Sequence, residues 1–320
     1  MARFILKKLG FLLATMATVS LLVFLALEVN VEDVAVKVLG QFSTSDQRHA
    51  WLLENGYFDP FIVRYLRWLG SFVTGDWGVS TYYKEDILSL VVPRLKASAI
   101  LAGLSLLLIV PVALALGIIS GIREGGVLDR SISIFSIVTT SIPEFATAVF
   151  LSAVFVLWLG WLPGASTMTS GFAWSEIVLP VLVLALYSMG YIARMTRSSM
   201  AEVMEAPYIR TARMKGASLS RIVLRHALRN ALIAPVTVIM LQIPWLLSGV
   251  IVVEVFFAYK GFGTLLYEAS LNSDIYLIEA CAMISVVVVV ITQFVSDITY
   301  AWLNPRISFA QGAAAKEGKA

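Results

Sequence analysis

Six stretches of the chain stay apolar long enough to cross a hydrocarbon core about 30 Å thick, which takes about 20 helical residues. Leu9–Leu27 carries no charge over its 19 residues, and Ala97–Ile122 is a second clean run, containing Pro111. Ser131–Leu159 is a long third, broken only by Glu144 just after Pro143. Ile177–Ala193, Ala231–Val253 and Tyr276–Trp302 follow, the last with Glu279 near one end and Asp297 near the other. Barrel strands would alternate apolar and polar residues over segments of about ten residues, and these runs do not alternate. The pattern predicts an all-α polytopic membrane protein with six transmembrane helices.

Composition agrees. The chain is 59% hydrophobic and 14% charged over 320 residues, with a mean hydropathy of +0.85. Globular chains carry about a quarter charged residues, so a soluble domain, a disordered chain and a nucleic-acid-binding domain are excluded. Cys281 is the single cysteine, so no intrachain disulfide or thiolate cluster can form.

Charge sets the orientation, because short cytoplasmic loops carry the excess of Lys and Arg. With the N-terminus inside, the inner segments hold Arg3, Lys7, Lys8, Arg123, Arg130 and a dense group from Arg194 to Arg229, and then Arg306, Lys316 and Lys319. The short outer loops hold only Lys260. Both termini are expected in the cytoplasm. Arg3, Lys7 and Lys8 precede the first run as in a signal peptide. That run exceeds the usual 7–15 or so apolar residues and lacks a small-x-small cleavage site, so it reads as an uncleaved anchor.

The chain divides into an N-terminal end with the first helix (1–29), an external segment (30–96), a five-helix core (97–307) containing a cytoplasmic connection (194–230), and a tail (308–320) expected to be disordered. The external segment carries seven basic and eight acidic residues, too polar to span. Its patches Trp51–Leu53 and Phe61–Leu69 have helix-compatible spacing, so short helices on the outer membrane face or against the bundle are expected. Gly75-Asp76-Trp77-Gly78-Val79-Ser80 reads as turns.

No P-loop, HExxH, GxSxG or Cys/His cluster occurs, and His49 and His226 fall on opposite sides of the membrane. The residues offer no catalytic or metal-binding set, so an enzyme is not expected. The informative segment is Arg194–Asn230. Pro207 suits the first position of a helix and Gly216 the residue after its end. About two turns lie between them, with Tyr208, Ala212 and Lys215 placed on one side. Such a short helix fits a docking element for a cytoplasmic partner; a basic loop that only fixes topology fits the same residues.

Ala193-Arg194-Met195-Thr196-Arg197-Ser198-Ser199-Met200, Tyr208–Ala217 and His226–Ile233 together resemble the signature loop of permeases of ABC importers, most closely the first permease subunit of dipeptide, oligopeptide and nickel systems. Similar residues recur in order at Gly75–Ser80, Ser141-Ile142-Pro143-Glu144-Phe145, Leu179-Pro180 at the opening of the fourth span, Val253–Phe257 and Gly261-Phe262-Gly263. Lys260 stands where that family usually has proline, and Asn304-Pro305-Arg306 replaces the usual Asp-Pro-Arg.

The resemblance implies a type I ABC importer permease fold. The partners it implies are a second homologous permease, two cytoplasmic ABC ATPases and an external solute-binding protein, with ATP and Mg held by the ATPases and no cofactor in this chain. Pro207, Tyr208, Arg210, Thr211, Ala212, Lys215 and Gly216 would form the coupling helix. Peptides are the expected solute; nickel, opines and oligosaccharides are the alternatives within the family. A secondary transporter or a membrane receptor using residues 30–96 would be a different class.

Polar groups within the spans are the pathway candidates. Glu144 sits near the middle of the third span, where a charge is costly unless it faces water or a partner. Gln242 and Pro244 lie midway along the fifth, where proline frees a backbone carbonyl. Gly117-Ile118-Ile119-Ser120-Gly121 permits close helix packing.

Overall fold

The computed structural model describes residues 2–28, 31–169, 171–248 and 250–303. The tail 308–320 and the Asn304-Pro305-Arg306 ending lie outside them. In chain order the helices are α1 (Ala2–Glu28), α2 (Val31–Leu39), α3 (Ser45–Glu54), α4 (Phe61–Thr74), α5 (Ile87–Ile122), α6 (Val127–Ser141) and α7 (Glu144–Ser152), the last prolonged by a π-helical stretch Ala153–Trp158. Then come α8 (Trp174–Glu205), α9 (Pro207–Met214), α10 (Leu219–Ile222), a second π-helical stretch Val223–Ala227, α11 (Leu228–Ala231) and α12 (Ile233–Ser248). α13 (Ile251–Phe256), α14 (Phe262–Leu271) and α15 (Ile275–Leu303) complete the chain. Among the described residues the only strand-like pairing is one antiparallel bridge, Val79 with Asp86.

Four helices, within α1, α5, α8 and α15, are long and apolar enough to cross a membrane by themselves. Two helix pairs pass the same test only when taken together, each bent at a short break: Val127–Ser141 with Glu144–Trp158 at 101°, and Leu219–Ala231 with Ile233–Leu247 at 52°. The count is therefore four, and reaches the expected six where each bent pair is one span; the third and fifth are then not straight. The third breaks because Pro143 has no N–H for the preceding turn and forces the residue before it out of helical geometry. Ile142 is accordingly extended, at φ −87° and ψ 125°. The fifth breaks above Pro235, whose missing N–H leaves the Ala231 carbonyl without its helical donor.

Helix ends also differ from the apolar runs. α5 starts ten residues before the run Ala97–Ile122, and α8 continues to Glu205, so the connection expected from Arg194 begins as helix. Leu179-Pro180 does not open the fourth span, since α8 starts at Trp174 and holds Pro180 in its interior. The carbonyl of Glu176 that Pro180 frees is taken by the Ser166 hydroxyl, while the Glu176 carboxylate accepts the Met168 N–H at 2.8 Å. The Ser166 hydroxyl thus stands in for the missing backbone donor, and the helix stays continuous.

The helices fall into two compact units. In the first, α2 and α3 pack through Val34, Ala35, Leu52 and Tyr57 with Ile275, and the buried face of α14 (Phe262, Leu265, Ala269) meets Ile87 and Val91 of α5 and Leu277 and Cys281 of α15. Nothing in the sequence pattern marked α14 as a helix, because it is too short to span. Asp274, fully buried, accepts the Ser80 hydroxyl at 2.5 Å and the Leu277 N–H at 3.3 Å, closing the turn before α15. Tyr83 donates to Glu268 at 2.5 Å, and burial first, then that carboxylate, push its phenol above the ordinary range.

In the second unit α8 is the axis. Its Gly190 leaves room only for the backbone of Ser136 and the side chains of Thr139 and Thr140 on α6. Gly117 and Gly121 of α5 meet Ala193, Thr196, Arg197 and Met200 in the same way: a Cβ at Gly117 would lie 2.4 Å from Cβ of Thr196. The expected close packing at this pair of glycines is therefore real, and α8 supplies its other half.

Candidate coupling site

The last turns of α8 carry the site. Thr196 and Met200 are fully buried there, and Ala206, extended at φ −60° and ψ 144°, ends the helix before Pro207. Pro207 opens α9 at its first position, where its absent N–H has no intrahelical partner to lose. At the other end Gly216 takes φ +78°. Its N–H donates to Arg213 at 2.9 Å, and that of Ala217 to Ala212 at 3.2 Å, the doubled hydrogen bond of a Schellman end. Ser218 then caps α10 by accepting the Arg221 N–H at 3.4 Å. Both ends of the short helix are where Pro207 and Gly216 put them.

One side chain seats α9. Ile209 is fully buried among Met200, Ile222, Val223, Ala227 and Ala231, and Ala212 packs beside it. Burying one such aliphatic side chain contributes about 1.5–3 kcal/mol. Ala212 therefore turns inward, away from Tyr208 and Lys215, which are exposed. The outward face consists of Pro207, Arg210, Thr211, Met214 and Lys215. Met214 is 76% exposed, which is unusual for an unbranched apolar side chain beside a packed core. The Tyr208 hydroxyl accepts from Asn230 Nδ2 at 2.9 Å, tying α9 to α11.

Two further ties hold α8 at this level. The Ser199 hydroxyl donates to the Ala231 carbonyl at 2.8 Å, the group that Pro235 leaves without a donor. Arg197 grips Asp129 of α6 with two hydrogen bonds, Nε to Oδ1 at 2.5 Å and Nη2 to Oδ2 at 2.8 Å, and reaches Glu124 at 3.5 Å. The Asp129 carboxylate is 3% exposed and also accepts the Ser120 hydroxyl and the Gly125 N–H. A bidentate, charge-assisted pair of this kind fixes orientation as well as distance.

In the sequence Arg197 belongs both to the inner charges and to the signature-like segment Ala193–Met200, and nothing there joins it to Asp129. The signal was available: an acid at the start of an apolar run, beside Gly125-Gly126, needs a cationic partner.

The pathway candidates lie on two different helices, α7 and α12. Glu144 is the first residue of α7, after the bend, and is half-buried. Its carboxylate sits at the positive end of that short helix. Gln242 and Pro244 are half-buried on α12, where Tyr187 stacks on Trp245 with ring centroids 5.6 Å apart. Among the described residues no hydrogen bond or ion pair joins Glu144 to Gln242.

Residues 113–309 match the family described as binding-protein-dependent transport system inner membrane component. The chain is 32% identical to the oligopeptide transport system permease protein AppB of Bacillus subtilis (strain 168), over 97% of this chain and 100% of that one. It is 30% identical to the dipeptide transport system permease protein DppB of Escherichia coli (strain K12), over 96% and 99%. In fold it is similar to a solved chain from inward-facing conformations of the MetNI methionine ABC transporter, at TM-score 0.52 and 18% identity, over 68% of this chain and 97% of that one. The chain belongs to the binding-protein-dependent inner membrane component family, and is a multi-pass permease subunit of an ABC transporter.

Proposed function

We propose that this permease is half of the membrane pathway of a peptide importer, and that α9 is its coupling helix. The supporting observation is the construction of α9: one buried anchor, Ile209, a glycine-fixed end, and an outward face that is exposed among the described residues. Pro207, Arg210, Thr211, Met214 and Lys215 would enter the groove of a cytoplasmic ABC ATPase, with Tyr208, Ala212 and Gly216 holding the helix in place. The names of AppB and DppB favour peptides over nickel, opines or oligosaccharides as the solute.

In this reading a second homologous permease completes the pathway, two ATPases bind ATP and Mg, and an external solute-binding protein delivers the peptide. The chain itself would need no cofactor and catalyse no reaction. The inside-positive charge favours both termini lying in the cytoplasm. ATP-driven closure of the ATPases would draw the coupling helices together and shift the permease between two packings, which requires differential contacts in the two states. Glu144, Gln242 and Pro244 would line the route, with the backbone carbonyl freed by Pro244 available to a solute.

The test is uptake of a labelled peptide into proteoliposomes holding the permease pair, the ATPases and the loaded binding protein. The reading expects uptake that requires ATP and is lost in Met214→Asp, with the complex still assembled. Uptake by this subunit alone, without ATP, would instead make it a secondary transporter.

A further inference from the structure

We propose that α4 is an interfacial helix whose apolar stripe lies against the acyl chains of the leaflet in which α1 ends. This goes beyond the import reading and does not depend on the solute. α4 has three faces. Phe61, Tyr65 and Trp68 turn to α1: their rings lie 5.4, 5.6 and 5.4 Å from that of Phe24, and the hydroxyls of Tyr65 and Ser20 are 2.7 Å apart. Phe72 continues this face and stacks on Trp77 at 5.3 Å. Arg64, Arg67, Ser71 and Thr74, at helical spacing, form a polar face, and the first three line an open cup of about 250 Å³ with Trp68, Asp76 and Trp77.

The third face is Ile62, Leu66, Leu69 and Val73, spaced i, i+4, i+7, i+11. Ile62 is 56% exposed, Leu66 59% and Val73 77%. A stripe this long and apolar does not face water without consequence.

The position of α4 along α1 identifies what covers the stripe. Its contacts are with Ser20 and Phe24, inside the apolar span Lys8–Leu27 and not beyond its end. Ser20 is seven residues before Leu27, which at 1.5 Å per residue is a depth of about 10 Å. An amphipathic helix lying in the membrane plane buries its apolar face to about 5–10 Å. At the same level along α1, Leu21, Leu22 and Leu25 are also exposed. Arg64 and Arg67 lie on the side away from the stripe, Arg64 with its guanidinium 5.7 Å from the Phe24 ring centroid and Arg67 paired with Asp59 at 2.6 Å, and side chains of this length can carry their charges up toward head groups. The spacing of Phe61–Leu69 predicts a short helix on the membrane face or against the bundle; separating its faces assigns one to α1 and another to lipid.

The experiment uses the complete importer in lipid nanodiscs, in a Cys281→Ala background. A small fluorophore is attached to single cysteines from Leu66→Cys and Val73→Cys on the stripe, and from Ser71→Cys and Thr74→Cys on the polar face. Membrane abundance is measured for each, and Val73, in the exposed last turn, keeps the test standing if the Leu66 variant is lost. Lipids carrying a nitroxide near the head of the acyl chain should quench the stripe positions severalfold more than the polar ones, and aqueous iodide should do the reverse. Stripe positions that iodide quenches, or that neither agent reaches, would overturn the proposal. The first outcome would put the stripe in water and the second would put another protein on it.

Discussion

The C-terminal end of α8 and the α6–α7 elbow are both built at a proline, and they are built oppositely. At the first, each loose group has a partner: Asp129 holds Arg197, Ser199 caps the carbonyl that Pro235 frees, Asn230 holds Tyr208, and Ile209 is fully buried. At the second, Pro143 and Ile142 are exposed, the chain turns by 101°, and Glu144 has no ion-pair partner among the described residues. The difference teaches what each can do. A region cross-linked from three helices moves as one body and can pass a displacement at α9 to the spans. The elbow is packed on α8 through Thr139 and Thr140 but carries no ion pair among the described residues, which leaves the Glu144 carboxylate open to another subunit, lipid or solute.

The comparison breaks most forcefully at the ion pair. Removing one partner of a buried pair costs about 3–5 kcal/mol, mostly from the charge left behind. The two halves are unequal here, since the Arg197 side chain is 29% exposed and the Asp129 side chain 3%. Arg197→Met strands a carboxylate that cannot reach water, whereas Asp129→Asn leaves a guanidinium that can. Arg197→Met should therefore lower the melting temperature and membrane abundance more than Asp129→Asn. Equal effects would mean the pair is hydrated and does not stiffen this end.

Next in size is Gly216. Nothing lies within 4 Å of where its Cβ would be, so only φ +78° resists a side chain. A β-branched residue in that conformation costs on the order of 1–3 kcal/mol, while asparagine tolerates it. Gly216→Val should leave the protein in the membrane and abolish stimulation of ATP hydrolysis by the loaded binding protein; Gly216→Asn should retain most of it. Full stimulation in Gly216→Val would return the segment to a topology-fixing loop.

Much of this was legible in the residues. Apolar length located the spans, and Pro207 with Gly216 marked both ends of α9, because those residue types act through local backbone geometry. What was hidden depends on distance along the chain. Asp129 and Arg197 are 68 residues apart, so no local pattern joins them. Ala212 was placed with Tyr208 and Lys215 because a two-turn helix gives too few positions to define its inner face; the packing of Ile209 defines it instead. Pro143 and Pro180 look alike in sequence, yet one breaks its helix and the other does not. The outcome turns on Ser166 reaching Glu176 from another segment, which no reading of α8 alone reveals.

That contrast gives a smaller test. Ser199→Ala leaves the Ala231 carbonyl without a donor, and an unsatisfied buried backbone group costs about 1–3 kcal/mol, less where water can enter. Ser199 is half-buried, so a loss near the lower end is expected, read as a modest drop in melting temperature. Ser166→Ala should cost a similar amount for the same reason on the other side of α8. No change in either would show that the proline-freed carbonyls are already hydrated.

Glu144→Gln should have the smallest effect on stability, and its value lies in that smallness. The substitution keeps size and shape while removing the charge. Within this chain the carboxylate gains only the field at the start of α7, typically about 0.3–1 kcal/mol at an exposed helix end. The purified subunit should therefore melt within about 0.5 kcal/mol of the unaltered protein, as surface changes usually do. The assembled importer is the sharper readout. If the elbow is completed by solute or water in the pathway, Glu144→Gln should change peptide uptake while leaving the complex assembled and its basal ATP hydrolysis intact. If it is completed by the second permease, the pair should come apart more easily in detergent, and uptake should fall only with assembly. A large loss of stability in the isolated subunit would contradict both, because it would require a strong partner for Glu144 inside this chain. The elbow would then be as tightly held as the end of α8.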